Sequence, residues 1–227
     1  MSQFSKNLSL VQDTITQSEL HYHRKPGSVR LLAVSKGQAL AKIKQALIAG
    51  QQCFGENYLQ EALLKITALA DQAIEWHFIG PIQSNKTKKI SQYFHWVQSI
   101  SDLNIAKRLN DQRPSTLPPL NICLQVNLSH EASKSGISSE NVFALATECA
   151  KLPHLRLRGL MAIPAISHDL TEQRTSFRQL YQIYKTLCAQ GFALDTLSMG
   201  MSEDMVAAIA EGATMVRIGT ALFGDRS

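Results

Sequence analysis

The stretch "RLLAVSKGQALAKIKQALIAG", residues 30–50, holds one complete strand-and-helix unit, and its reading decides the fold. "RLLAVSK" (30–36) runs from Leu31 to Val34 without a polar break. A strand buried on both faces reads this way, whereas one with a wet face alternates. "LAKIKQALIAG" (40–50) then sets Ile43, Leu47 and Ile48 at helical spacing and closes on Gly50. Glycine suits the position just past a helix end because it tolerates positive φ.

The same alternation fills the chain. Further strands are expected at 53–57, 76–80, 96–100, 121–128, 158–163, 196–200 and 215–220, making eight in all. Between them, "NYLQEALLKITALA" repeats Leu59, Leu63, Ile66 and Leu69 on one helix face, and "ENVFALATECAKL" and "RTSFRQLYQIYKTLCAQG" behave alike. In "SEDMVAAIAEG", Ser202 is the expected N-cap, with Glu203 and Asp204 in the first turn. Eight strand–helix units in succession predict a single (β/α)8 barrel, with an open doubly wound sheet as the competing arrangement. One extra helix, about residues 5–24, precedes the first strand and is expected to cover the barrel floor. The chain is thus expected to be one domain, 1–227, with a helical extension at 1–29 and the barrel at 30–224. The proline-rich "NDQRPSTLPPLN" is a linker inside that domain, because the rhythm continues on both sides of it.

Composition narrows the function. Apolar residues make up 44% of the 227, enough for a substantial core. The net charge of +5 suits an anionic ligand, but the basic residues are scattered, so a phosphate-bearing small molecule explains them at least as well as nucleic acid does. Cys53, Cys123, Cys149 and Cys188 lie far apart without a C-x-x-C, and neither metal nor disulfide is expected. No apolar leader or bilayer-length run occurs, so a cytoplasmic protein with no membrane contact is expected.

In a barrel, chemistry collects where strands finish. The first strand ends in Lys36 and the second in Glu56-Asn57. His77 lies in the third and Met161 in the sixth. The seventh runs into Ser198, Gly200, Met201 and Ser202, and the eighth carries Arg217, Gly219 and Thr220. Loops after the last two strands commonly form a phosphate site, and "SMGMSEDM" and "RIGTALFG" offer glycines and hydroxyls there. A lysine facing such a site is a counter-ion or an imine-forming amine, and burial or a nearby Arg217 would free its lone pair. Pyridoxal 5′-phosphate (PLP) fits these parts, as does an aldolase-type Schiff base.

Seven segments, "LLAVSK", "FGENYLQE", "WHFIGPIQSNK", "SKSGI", "LRGLMAIPA", "LSMGMSEDM" and "MVRIGTALFG", resemble in order the YggS/PROSC family of PLP homeostasis proteins, from Leu31 to Gly224. The resemblance implies a fold type III barrel similar to the N-terminal domain of bacterial alanine racemase, with PLP held as a Schiff base on Lys36. By analogy with the racemase, Arg217 faces the pyridine nitrogen and Gly219 and Thr220 bind phosphate. Ser198, Gly200, Met201 and Ser202 complete the cradle, and Asn57, His77 and Met161 are assigned to the same pocket by position. An arginine at the ring nitrogen leaves that nitrogen unprotonated and the ring a poor electron sink. A racemase compensates with a tyrosine from a second domain; no such domain is expected after Ser227, and Tyr58 is expected to be a packing residue.

A PLP carrier or buffer without robust turnover, passing PLP to apo-enzymes and monomeric, is therefore the expected function. A racemase-like enzyme using Lys36 as base, and an RNA-associated protein, are the alternatives. Lesser signals have plainer readings. His77 also reads as a core histidine, Lys86, Lys88 and Lys89 as a solvated face, and Glu56 as a pocket base or the partner of a lysine. Lys134 reads as a surface lysine or a secondary PLP acceptor.

Overall fold

Ser2 opens the first helix by accepting the Ser5 N–H on its side chain, and α1 runs Gln3–His21. The computed structural model describes residues 2–128 and 135–224. The strands are β1 (Arg30–Val34), β2 (Cys53–Glu56), β3 (Glu75–Phe78), β4 (Trp96–Ile100), β5 (Leu120–Asn127), β6 (Ile137–Ser138), β7 (Leu155–Met161), β8 (Thr196–Ser198) and β9 (Met215–Ile218). The remaining helices are α2 (Leu40–Ile48), α3 (Leu59–Ala68), α4 (Thr87–Tyr93), α5 (Leu103–Gln112), α6 (Val142–Ala150), α7 (Leu170–Ala189), α8 (Met205–Ala210) and α9 (Thr220–Phe223).

Every strand pairing is parallel, and the order β1–β2–β3–β4–β5–β7–β8–β9 returns to β1. The result is a closed eight-stranded barrel ringed by helices. β6, only two residues long, pairs with β5 outside that ring. Two residues carry no period, which is why the sequence does not announce it.

The uninterrupted apolar runs follow from double burial. All five residues of β4 and all four of β9 are buried. Outward side chains such as Phe54, Phe78 and Val216 join the helices in the main core. Leu32, Val34, Ile79 and Met215 form one separate cluster, and Trp96, Cys123 and Met161 another. Polar side chains are buried as well, among them His77, Gln98, Ser198 and Arg217.

The extra helix does not cover the floor. α1 packs beside α8, α9 and α2 in the outer ring. Its Phe4, Leu8, Val11 and Ile15 lie on one face, Phe4 meets Phe223 with ring centroids 5.1 Å apart, and Asn7 donates to the Leu222 carbonyl at 2.9 Å. The reason is geometric: α9 is a single turn, too short to cover the seam between the last and first units. Buried Glu19 anchors the link to β1 by accepting the N–H groups of Gly27 and Val29, each at 2.8 Å.

Candidate cofactor pocket at the strand ends

A cavity of about 320 Å³ opens where the strands finish. Its lining comes from six strand ends: Val34 and Lys36, Asn57, Ile79, the 163–167 segment after β7, Met201–Asp204 after β8, and Arg217, Gly219 and Thr220. Of the residues expected from the sequence, Lys36, Asn57, Met201, Ser202, Arg217, Gly219 and Thr220 come together here. Sequence reasoning missed Gln38, Gln173, Glu203, Asp204 and the Ala165–Ser167 stretch beyond the strand expected at 158–163. The other loop residues carry no residue-type signal that separates pocket from surface.

Four expected residues do not line the cavity. Met161 is fully buried against Trp96 and Cys123, because a thioether fills a gap in that apolar cluster. His77 is fully buried and bonded to Glu75 and Gln98, so the core-histidine reading holds and the cofactor-contact assignment does not. Ser198 sits behind Arg217 and accepts its Nη1–H at 2.9 Å. Gly200, at φ +95, lets the chain turn where a Cβ would press on Ala208. Tyr58 is 58% exposed, so it neither packs nor lines the pocket.

Ser202 is not the cap of α8. Residues 202–204 form a turn, because the Asp204 carboxylate reaches back to the Met201 N–H at 2.6 Å, and the helix starts only at Met205. Burial pushes the Asp204 carboxyl up, against the pull of Met201 and Arg217.

The approach of Lys36 is fixed from both sides. Gly37, at φ +70, turns the chain out of β1, and its N–H donates to Glu61 at 2.6 Å. On the other side Lys65 Nζ donates to the Ser35 carbonyl at 2.6 Å, to Glu56 at 2.7 Å and to Glu61 at 2.6 Å. Glu56 is thus a buried partner of a lysine and does not face the pocket. Burial raises its carboxyl although Lys65 and Ser35 bond to it.

Arg217 is 3% exposed yet lines the cavity, and Nη2 donates to the Ala162 carbonyl at 2.8 Å. Burial pushes its guanidinium down to about 10, which still leaves it charged at neutral pH. Asn57 Oδ1 is buried with no hydrogen-bond partner among the described residues. A buried amide oxygen costs about 1–3 kcal/mol when unpaired, so Asn57 lines the cavity while its own oxygen is shut away from solvent at a cost. At Gly219 neither φ, at −114, nor packing demands glycine, since a Cβ would meet only Val34 at 3.4 Å. The room beside it is pocket. An amine, a guanidinium and the hydroxyls of Ser202 and Thr220 together fit a phosphorylated heteroaromatic aldehyde.

Gly80 supports that wall. A Cβ there would overlap the Asn57 backbone oxygen. Gly80→Ala is expected to displace the Asn57 backbone, lowering both the melting temperature and the affinity for the ligand; calorimetry and titration of the variant with PLP check this.

At the opposite ends of the strands, one ligand atom each from Cys53, Glu75 and His77 lies within 4.8 Å of the others. Arg30 Nη2 already donates to Glu75 at 2.7 Å and to Cys53 Sγ at 3.1 Å. A cation in that position uses the lone pairs a metal needs, and Cys53 is a polar partner there rather than the simple hydrophobe its strand suggests. Of the face expected to be solvated, Lys88 and Lys89 are exposed and Lys86 is half-buried, and Lys134 lies outside the described residues.

The alanine racemase N-terminal domain family matches residues 5–227. A pyridoxal phosphate homeostasis protein of Pseudomonas aeruginosa is 54% identical over 226 residues, covering 100% of this chain and 97% of its own. Its counterpart in Escherichia coli K12 is 49% identical and covers 100% and 98%. The structure of Synechococcus elongatus PipY with PLP bound matches at a TM-score of 0.86 and 34% identity, over 98% of this chain and 100% of that one. An alanine racemase of Clostridium difficile shares the fold, with a TM-score of 0.76 at 15% identity and 57% of its length covered. With a family model spanning almost the whole chain and full-length relatives at about half identity, the chain belongs to the pyridoxal phosphate homeostasis protein family, within the alanine racemase N-terminal domain family.

Proposed function

We propose that this protein binds PLP at the strand-end cavity and serves PLP homeostasis as a carrier rather than as an enzyme with robust turnover. The observation that carries the reading is the shared cavity of Lys36, Arg217, Ser202, Gly219 and Thr220. Lys36 supplies the amine, Ser202, Gly219 and Thr220 receive the phosphate, and Arg217 meets the ring nitrogen. Asn57 and Met201 close the sides of the ring, while Ser198 and Gly200 act from behind. When bound, PLP supplies an aldehyde that an unprotonated amine captures reversibly with loss of water.

The same residues argue against efficient amino-acid chemistry. Arg217 holds its protons, so it keeps a ring nitrogen supplied with a hydrogen bond but not with a proton. Racemization needs acid/base groups on two faces of the substrate. Among the described residues the titratable side chains at the cavity are Lys36, Glu203, Asp204 and Arg217, and no tyrosine lines it. Asp204 is already engaged with the Met201 N–H, in the turn that shapes the cavity wall. A single monomeric domain in the cytoplasm, delivering PLP to apo-enzymes, completes the proposal. No helix among the described residues is long and apolar enough to cross a membrane.

The test combines labelling with exchange. Purified protein mixed with PLP should turn yellow, and borohydride should fix one pyridoxyl group on Lys36, located by peptide mass. Alanine in deuterated water should lose its α-proton far more slowly than the roughly 1–1000 per second of ordinary enzymes. A protein that stays colourless, or one that exchanges at those rates, sinks the respective half of the proposal.

A further inference from the structure

A chain of hydrogen bonds runs through the barrel interior from one end of the strands to the pocket. Arg217 Nη1 donates to Ser198 Oγ at 2.9 Å, and Ser198 donates to Gln98 Oε1 at 2.7 Å. Gln98 Nε2 faces His77 Nδ1 at 2.9 Å, and His77 Nε2 faces Glu75 Oε1 at 2.8 Å. Every member but Glu75 is buried, and His77, Gln98 and Ser198 have no exposed surface at all.

The partners fix the direction of every link. Because Ser198 gives its only hydroxyl proton to Gln98 Oε1, the amide nitrogen must face His77. Gln98 donates, so His77 Nδ1 accepts and its proton sits on Nε2, pointing at Glu75. Burial lowers the imidazole more than Glu75 raises it, so the ring is neutral. Burial alone would raise the Glu75 carboxyl, but its bonds to His77 and Arg30 hold it well below the usual carboxylate range. All donors therefore point one way, from the Arg217 cation to the Glu75 anion. A buried run of this kind, paired at every link, permits few alternative rotamers.

We propose that Glu75, His77 and Gln98 are positioning residues that act through Ser198 to aim the Arg217 guanidinium at the cofactor ring. The inference rests on the PLP reading above. None of the three touches the pocket, so no effect on PLP is expected from direct contact. Ser198 and the Ala162 carbonyl hold the two terminal nitrogens of Arg217. A Ser198 hydroxyl released from Gln98 can rotate, and one of those two anchors becomes loose.

The experiment is a double-mutant cycle read on PLP bound to the full chain. Gln98→Leu should weaken PLP binding about three- to tenfold, the range one neutral hydrogen bond is worth. It should also shift the absorbance maximum of the bound chromophore, while borohydride still labels Lys36. In an Arg217→Lys background the same change should have no further effect on affinity or spectrum, because the group it positions has gone. A merely structural Gln98 would cost the same in both backgrounds, and that equality overturns the inference. If Gln98→Leu does not fold, Glu75→Gln decides: it changes a one-third exposed side chain remote from the pocket. Its spectrum should shift in the same direction and lose the shift with Arg217→Lys; an unchanged spectrum overturns the inference. A wild-type protein that takes up no PLP defeats the parent reading instead, so the two failures are told apart.

Discussion

Lys65→Met is expected to destabilise the protein by about 3–5 kcal/mol, the usual cost of stripping one partner from a buried ion pair. The Glu56 side chain has no exposed surface and that of Lys65 only 6%. Glu56 Oε2 already lacks a hydrogen-bond partner among the described residues, and Oε1 depends on Lys65 and on Ser35, whose hydroxyl donates at 2.5 Å. For a chain of this size the loss corresponds to a fall in Tm on the order of 10 °C.

The deficit should also depend on pH. Burial raises the Glu56 carboxyl above 4.5, and Lys65 is what restrains the rise, so the variant lifts it further. A carboxyl raised on folding contributes stability below its unfolded value, and that contribution disappears as pH climbs through the folded value. The gap between variant and wild type should therefore be smallest near pH 4.5 and widen toward neutrality. Calorimetry at several pH values checks this, and a gap that narrows toward neutral pH contradicts the ion-pair account. The double variant Glu56→Gln, Lys65→Met should recover part of the loss, because no unpaired charge is left behind. PLP retention should fall in Lys65→Met too, since Lys65 holds the Ser35 carbonyl and shares Glu61 with the Gly37 N–H on either side of Lys36.

That lysine shows where sequence reading stops. Leu31–Val34 announced a doubly buried strand and Lys36 its polar end, because both signals are local: a run of residue type and a position relative to it. Lys65 looks like one more polar residue on the helix "NYLQEALLKITALA", and nothing local says that its amine turns inward. Gln98 and His77 are similar. A polar residue within an apolar strand signals a buried hydrogen bond but not its partner: Gln98 meets His77 from the neighbouring strand and Ser198 one hundred residues away across the barrel. Met161 shows the converse, since a strand's end is legible in the residues but which side chain there reaches the cavity is not. The N-terminal helix is legible in its own residues, but its position depends on how short α9 is, which "TALFG" alone does not reveal.

Gly159→Ala should be at least as damaging as the lysine substitution, and for a purely steric reason. Gly159 lies in β7 between Cys123 of β5 and Thr196 of β8, next to a register shift in the β5–β7 pairing. A Cβ at this position would overlap the Thr196 carbonyl oxygen. That obstacle is backbone, so no rotamer change can relieve it, and the β8 strand itself must move. Overpacking commonly costs about 1–3 kcal/mol and more where backbone has to shift, so roughly 3 kcal/mol or more is expected. Gly191→Ala supplies the control. Its φ of +93 imposes strain, but a Cβ there meets nothing within 4 Å. Strain alone should cost on the order of 1 kcal/mol. If Gly159→Ala melts no lower than Gly191→Ala, the close approach of β7 and β8 is not a constraint on the fold. The consequence for the site follows from connectivity: β8 delivers Ser198 to Arg217 and Met201–Asp204 to the cavity wall. A displaced β8 should therefore weaken PLP binding even in the fraction of Gly159→Ala that folds, and titration below its melting temperature measures that loss.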